Sequence, residues 1–155
     1  MTLYLLRHGN SERKSLSGRD QDRGLTVEGL TELLKTLQEA KAEGAAPNWI
    51  LSSPYRRAGQ TAEMAARVLE CANQIVESGS LTPESEPAEL WAEVREWADQ
   101  GPVLVVAHEP LLSATASWML GATRVMIEFT PGMLVQIDFA VAGAEPLGVL
   151  KRIWT

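Results

Sequence analysis

The chain has 155 residues, the length of one domain, and its 14 Lys and Arg against 20 Asp and Glu leave a formal net charge of −6. That balance excludes a general nucleic-acid binder, whose affinity needs a basic face. Hydrophobic residues at 45% and charged residues at 22% are ordinary globular composition, and the one cysteine, Cys71, allows no intramolecular disulfide.

These properties predict a cytoplasmic domain spanning residues 1–155, with no membrane association. MTLYLL is too short for the apolar part of a signal peptide, and no apolar run approaches the roughly 18 residues of a spanning helix.

Leu3 to Leu6 read as a short, fully buried strand that runs straight into Arg7 and His8. The polar stretch from Gly9 to Leu25 is long for a strand-to-helix connection, and such loops are functional more often than accidental. Within it, the variable part from Asn10 to Asp22 carries no assignable role. Thr26 is a helix N-cap with Glu28 in the first turn, and Leu30, Leu33, Leu34 and Leu37 fall on one face before Gly44 stops the helix. Trp49 to Ser52 is a second strand. Ser53-Pro54 then predicts the start of a second helix, with Met64, Ala65 and Val68 on its buried side.

Gln74 to Val76 is a weak strand ahead of the turn-rich GSLTPESEP. Pro87 to Gln100 reads as one helix closed by Gly101, with Leu90, Val94 and Trp97 in line. Val103 to Val106 is the clearest buried strand. A helix from Pro110 to Leu120 ends at Gly121, and Gly132–Phe139 and Gly148–Trp154 alternate as two late strands. Strands alternating with helices predict an α/β fold, a three-layer α/β/α sandwich around a mainly parallel sheet.

In such a sheet, ligands gather beyond the carboxyl ends of the strands. Three of those ends are chemically loaded: LLRHG, ILSSPYRRAGQT and VLVVAHEP. Both histidines of the protein, His8 and His108, therefore stand at equivalent positions on two strands. One histidine at a strand end is usually a satisfied polar residue; two, with an arginine pair at a third end, suggest phosphoryl chemistry. Planar guanidinium forks bind phosphoryl oxygens bidentately, and one neutral imidazole can attack phosphorus while the other stabilises charge. Other phosphatase signatures do not fit: six residues beyond Cys71 stands Glu77, so no C-x5-R loop exists, and there is no G-x-x-x-x-G-K-[ST] loop or H-E-x-x-H helix. Two distant histidines with no joining acidic cluster argue against a metal site.

RHG at 7–9, SSPYRRAGQTA at 52–62 and VVAHEP at 105–110, in that order, resemble the histidine phosphatase (phosphoglycerate mutase-like) superfamily. The short chain and the segments DRGLT and LTPES resemble its small SixA-type phosphohistidine phosphatase branch. The resemblance implies that His8 is the nucleophile that becomes phosphorylated, and that Arg7 holds phosphate oxygens beside it. It also implies that Arg57, the residue preceding Ala58, is the second phosphate arginine, and that His108 is the second pocket histidine. Adjacent residues on a helix point about 100° apart, so Arg56 and Arg57 do not share the pocket equally. Arg23 matches a further phosphate-contacting arginine, and Ser11 the hydroxyl residue that follows RHG. Lys14 stands where many members carry asparagine. No cofactor is implied.

Larger members carry an acidic proton donor in an insertion that GSLTPESEP is too short to supply. Glu84 and Glu109 read better as charges at helix starts than as that acid. An alkyl phosphate expels an alkoxide that needs a proton, whereas phosphohistidine departs as imidazole. The expected substrate is therefore a phosphohistidine-containing protein. The alternatives are a small phosphorylated ester or anhydride, or phosphoprotein binding without catalysis.

Overall fold

A computed structural model describes residues 1–155. Six strands, β1 (Thr2–Arg7), β2 (Trp49–Ser52), β3 (Ile75–Glu77), β4 (Val103–Ala107), β5 (Leu134–Phe139) and β6 (Gly148–Trp154), form one sheet in the order 3-2-4-1-5-6. Four helices connect them: α1 (Val27–Ala42), α2 (Arg56–Val68), α3 (Pro87–Arg95) and α4 (Leu111–Met119). β1 to β4 pair in parallel, while β5 runs antiparallel to β1 and β6 to β5, so the late strands close one side of a mixed sheet.

The buried strands sort their side chains by the period of two that the pleat imposes. Leu3, Leu5, Val103, Val105 and Ala107 face the layer containing Leu90, Trp91, Leu112 and Met119 of α3 and α4. Tyr4, Leu6, Leu104 and Val106 face Leu33, Leu37, Ala58, Ala62 and Ala65 of α1 and α2. Both faces of the sheet are covered, which is why these strands read as continuous apolar runs.

Three local expectations are corrected. α1 buries Gly29, Leu33, Thr36, Leu37 and Ala40, leaving Leu30 half-buried and Leu34 exposed. Its inner face is rotated towards small residues because the chain after β1 lies against it: a Cβ on Gly29 would collide with the carbonyl of Asn10. The Thr26 cap stands as expected, its hydroxyl accepting from Gly29 N–H at 2.9 Å.

α2 begins at Arg56 rather than at Ser53-Pro54. The Ser53 amide still donates to the Val106 carbonyl at 3.0 Å, which continues the sheet, and the Tyr55 amide donates to Ser53 Oγ at 3.3 Å. Residues 53–55 therefore bend between the strand and the helix. On α2 the buried residues are Arg57, Ala58, Thr61, Ala62 and Ala65, with Met64 and Val68 only half-buried.

The helix expected over 87–100 stops at Arg95, and a separate single turn spans Ala98–Gln100. Trp97 turns onto Trp49, with ring centroids 4.6 Å apart, and Gly101, at φ +101°, reverses the chain into β4.

Candidate active site

Parallel register brings the site together. Arg7 pairs with Ala107 across β1 and β4, so the next residue of each strand, His8 and His108, emerges at the same edge. The His8 amide donates to the Ala107 carbonyl at 3.2 Å, and the two rings sit with centroids 5.0 Å apart, tilted by 58°. Residues 100 positions apart in the chain thus share one edge for a purely topological reason.

A polar cavity of about 290 Å³ opens there, lined mainly by charged and polar residues with Pro83 and Pro131 at its wall. Arg7, Ser11, Arg23, Arg57 and Asp20 join the two histidines around it. His8 Nδ1 lies 2.8 Å from the carbonyl oxygen of its neighbour Gly9. A carbonyl only accepts, so Nδ1 carries the proton and Nε2 keeps its lone pair. That lone pair accepts from Arg57 Nε at 3.2 Å.

Arg57 is 4% exposed and enters from the first turn of α2. Its remaining nitrogens donate to the Asp20 carbonyl at 2.9 Å and the Asp20 carboxylate at 3.2 Å. Arg23 Nε donates to the other carboxylate oxygen at 2.8 Å, so Asp20 bridges two arginines. Burial alone would push the Asp20 carboxyl up; the hydrogen bonds and charges of Arg57 and Arg23 outweigh it and hold the group below the usual range. Asp22, two residues further on, pairs instead with Arg19 at 2.9 Å.

Arg7 Nη1 donates to the Phe129 carbonyl at 2.6 Å. Its Nε is buried with no partner, and so is His108 Nδ1; both belong to residues lining the cavity. Buried polar atoms are nearly always paired, so two unpartnered nitrogens on residues that line one cavity point to a ligand as the missing partner.

Burial pushes the His8 imidazole down to about 4, helped by the charges of Arg57, Arg7 and Arg23 and opposed by the hydrogen bond to Gly9. Burial, then His8 and Arg57, push His108 down to about 2. Both rings are therefore neutral at pH 7, and the positive charge of the site comes from guanidinium groups. A neutral His8 with an unprotonated Nε2, its lone pair held by Arg57, is the form that can attack phosphorus once that hydrogen bond is given up.

The other expected residues divide. Ser11 lines the cavity and accepts a long hydrogen bond of 3.4 Å from Arg23. Glu84 is outside, accepting from the Tyr55 hydroxyl at 3.4 Å. Glu109 reaches the cavity edge, but its carboxyl accepts from the Ser113 amide at 3.0 Å and from the Ser113 hydroxyl, which ties it to α4. Arg56 faces away, donating to the Asp22 carbonyl at 3.4 Å. No group of three or more His, Cys, Asp and Glu side chains is placed to hold a metal ion.

Two residues with polar roles here escaped the sequence reading, Asp20 and Ser53. Asp20 sat in the loop left without a role. Ser53, in the SSP segment, places its hydroxyl 2.7 Å from His108 Nε2, and only its position one residue past a strand end hinted at that.

A mixed sheet sandwiched between helix pairs, with an anion cavity at the carboxyl ends of β1 and β4, defines an α/β phosphatase of the phosphoglycerate mutase-like fold. Residues 3–79 match the Histidine phosphatase superfamily (branch 1), and the chain belongs to that superfamily. An uncharacterised protein of Picosynechococcus sp. is 34% identical over 117 residues, 75% of this chain and 71% of that protein. Among solved structures, the protein histidine phosphatase SixA in complex with tungstate superposes with a TM-score of 0.89 at 21% identity, over 100% of this chain and 97% of that one. A phosphoserine phosphatase mutant from Entamoeba histolytica, in complex with phosphoserine, gives 0.71 at 16% identity over 98% and 95%. At these identities both likenesses concern the fold. No helix is long and apolar enough to cross a membrane.

Proposed function

We propose that the protein removes phosphate from a phosphohistidine-containing protein through a phospho-His8 intermediate. The observation that carries this reading is the pair of unpartnered buried nitrogens, Arg7 Nε and His108 Nδ1, on residues lining a cavity where His8 Nε2 is unprotonated.

His8 Nε2 forms a bond to phosphorus as the bond to the substrate nitrogen breaks, and the departing imidazole keeps that electron pair and takes a proton from water. Arg7, Arg57 and His108, with Arg23 at the rim, hold the equatorial oxygens, where charge accumulates. Water then attacks phosphorus, the bond to Nε2 breaks, phosphate leaves, and the lone pair returns to His8. Arg57 moves its Nε hydrogen bond from His8 to a phosphoryl oxygen as the attack begins.

The choice of a phosphoramidate rests on the missing acid. Glu84 stands outside the cavity, Glu109 is tied to Ser113, and Asp20 is held as a carboxylate by two arginines. Hydrolysis of an alkyl ester needs a proton on the leaving oxygen, and none of these three carboxyl groups is free to give one. A protein-borne substrate also suits the cytoplasmic setting that one unpaired cysteine favours.

Incubating the purified protein with a phosphohistidine protein, phosphoserine and sugar phosphates tests this directly. The reading expects the first to be hydrolysed with kcat/KM at least tenfold above the others. Preference for a sugar phosphate makes the protein a small-ester phosphatase; binding of the phosphoprotein without turnover makes it a binding module.

A further inference from the structure

His108 is the less explained of the two imidazoles. Its ring is neutral, so one nitrogen bears a proton and the other a lone pair, and the chemistry at the cavity depends on which is which. A lone pair beside phosphoryl oxygens repels them; an N–H binds them.

The answer lies one strand away. Ser52 pairs with Val106 across β2 and β4, and the Ser53 amide donates to the Val106 carbonyl, which brings Ser53 beside His108 at the end of the sheet. Ser53 is 0% exposed and His108 2%. The Ser53 hydroxyl oxygen accepts from the Tyr55 amide at 3.3 Å and lies 2.7 Å from His108 Nε2. With the oxygen already accepting, the hydroxyl proton has His108 Nε2 as its acceptor. The opposite polarity, with Nε2–H donating to serine, leaves a fully buried hydroxyl proton without a partner, which is unfavourable. It also leaves a bare lone pair at Nδ1, the ring nitrogen that has no partner within the protein.

We propose that Ser53 is a positioning residue that fixes the tautomer of His108: its hydroxyl donates to Nε2, which places the ring proton on Nδ1 as a donor for the phosphoryl group. The two histidines then carry the same tautomer turned opposite ways. His8 spends its Nδ1–H on the Gly9 carbonyl and presents a lone pair; His108 spends its Nε2 lone pair on Ser53 and presents a proton. The role of the proton rests on the phosphoryl-transfer reading of the cavity, whereas its location does not.

The protein contains two histidines, so long-range proton–nitrogen NMR correlations of 15N-histidine-labelled protein at pH 7 show two ring systems. The expected result is a protonated Nδ1 and a bare Nε2 in His108. In Ser53→Ala the His108 proton shifts towards Nε2, and kcat falls about 10- to 100-fold, within reach of the loss of one oxyanion donor; Ser53→Thr, which keeps the hydroxyl, restores both. A parent spectrum with His108 protonated on Nε2 overturns the proposal whether or not any variant folds. So does a Ser53→Ala protein that keeps the parent tautomer and the parent kcat. Because the spectrum needs no substrate, absence of phosphatase activity would count against the functional reading and leave the tautomer question decided separately.

Discussion

The ends of β1 and β4 are the same place built twice. Each strand delivers a buried histidine at equal register, yet one meets a carbonyl and the other a hydroxyl. A carbonyl can only accept, whereas a buried hydroxyl needs an acceptor for its proton, so under the proposed reading identical side chains serve as a nucleophile and a hydrogen-bond donor. The difference teaches that the identity of a catalytic histidine does not lie in the ring; it lies in the neighbour that uses its other nitrogen.

The sharpest way to break the comparison is to remove one ring at a time. His8→Ala removes the proposed nucleophile and should fall below about one part in 10³ of parent kcat, with no phosphorylated protein formed. His108→Ala should keep a detectable phosphorylated intermediate at low turnover. Equal residual activity without any intermediate in both variants would make the two ends equivalent after all.

Arg57 spans both roles, since its Nε reaches His8 and its body lies in the cavity. Arg57→Ala should cost about 10²- to 10³-fold in kcat, and Arg56→Ala, whose side chain faces the Asp22 carbonyl, almost nothing. Steady-state kinetics of the two variants side by side checks this.

pH sharpens the picture of β1. The folded His8 imidazole sits at about 4 against the ordinary 6.5, so the unfolded chain binds its proton more readily. That penalty on the folded state is absent above pH 6.5 and grows as pH falls towards 4, reaching roughly 3 kcal/mol. Urea unfolding should therefore show stability dropping over that window, and the drop should shrink in His8→Gln. NMR titration of the His8 ring should give a midpoint near 4 in the free protein.

Smaller effects test the surroundings. Gly29→Ala pushes against the Asn10 carbonyl behind the cavity and should cost about 1–3 kcal/mol in chemical denaturation. Glu84→Gln should leave kcat within about twofold, because its carboxylate meets only the Tyr55 hydroxyl. A large loss there would restore a general acid to the mechanism.

The strand ends were readable because buried strands advertise themselves as apolar runs and their parallel order puts His8, His108 and Arg57 at one edge. Helix limits were harder. Ser53-Pro54 carries the composition of a helix start, but the Ser53 amide belongs to the sheet through Val106, a contact made by a strand distant in the sequence. The rotated inner face of α1 depends likewise on the close approach of Asn10 to Gly29. Within the site, charged groups could be assembled from motifs, while Asp20 and Ser53 could not. Their roles come from which of several polar atoms lies within 3 Å, and side-chain identity does not encode that.

The central claim is that one anion sits between the two rings and bonds to one of them. The most direct measurement is to react the protein with a phosphohistidine protein labelled at phosphorus, quench in alkali, and locate the label by peptide mass spectrometry and phosphorus NMR. The account predicts phosphate on Nε2 of His8. Label on His108, or turnover with no labelled histidine at any time, would contradict it.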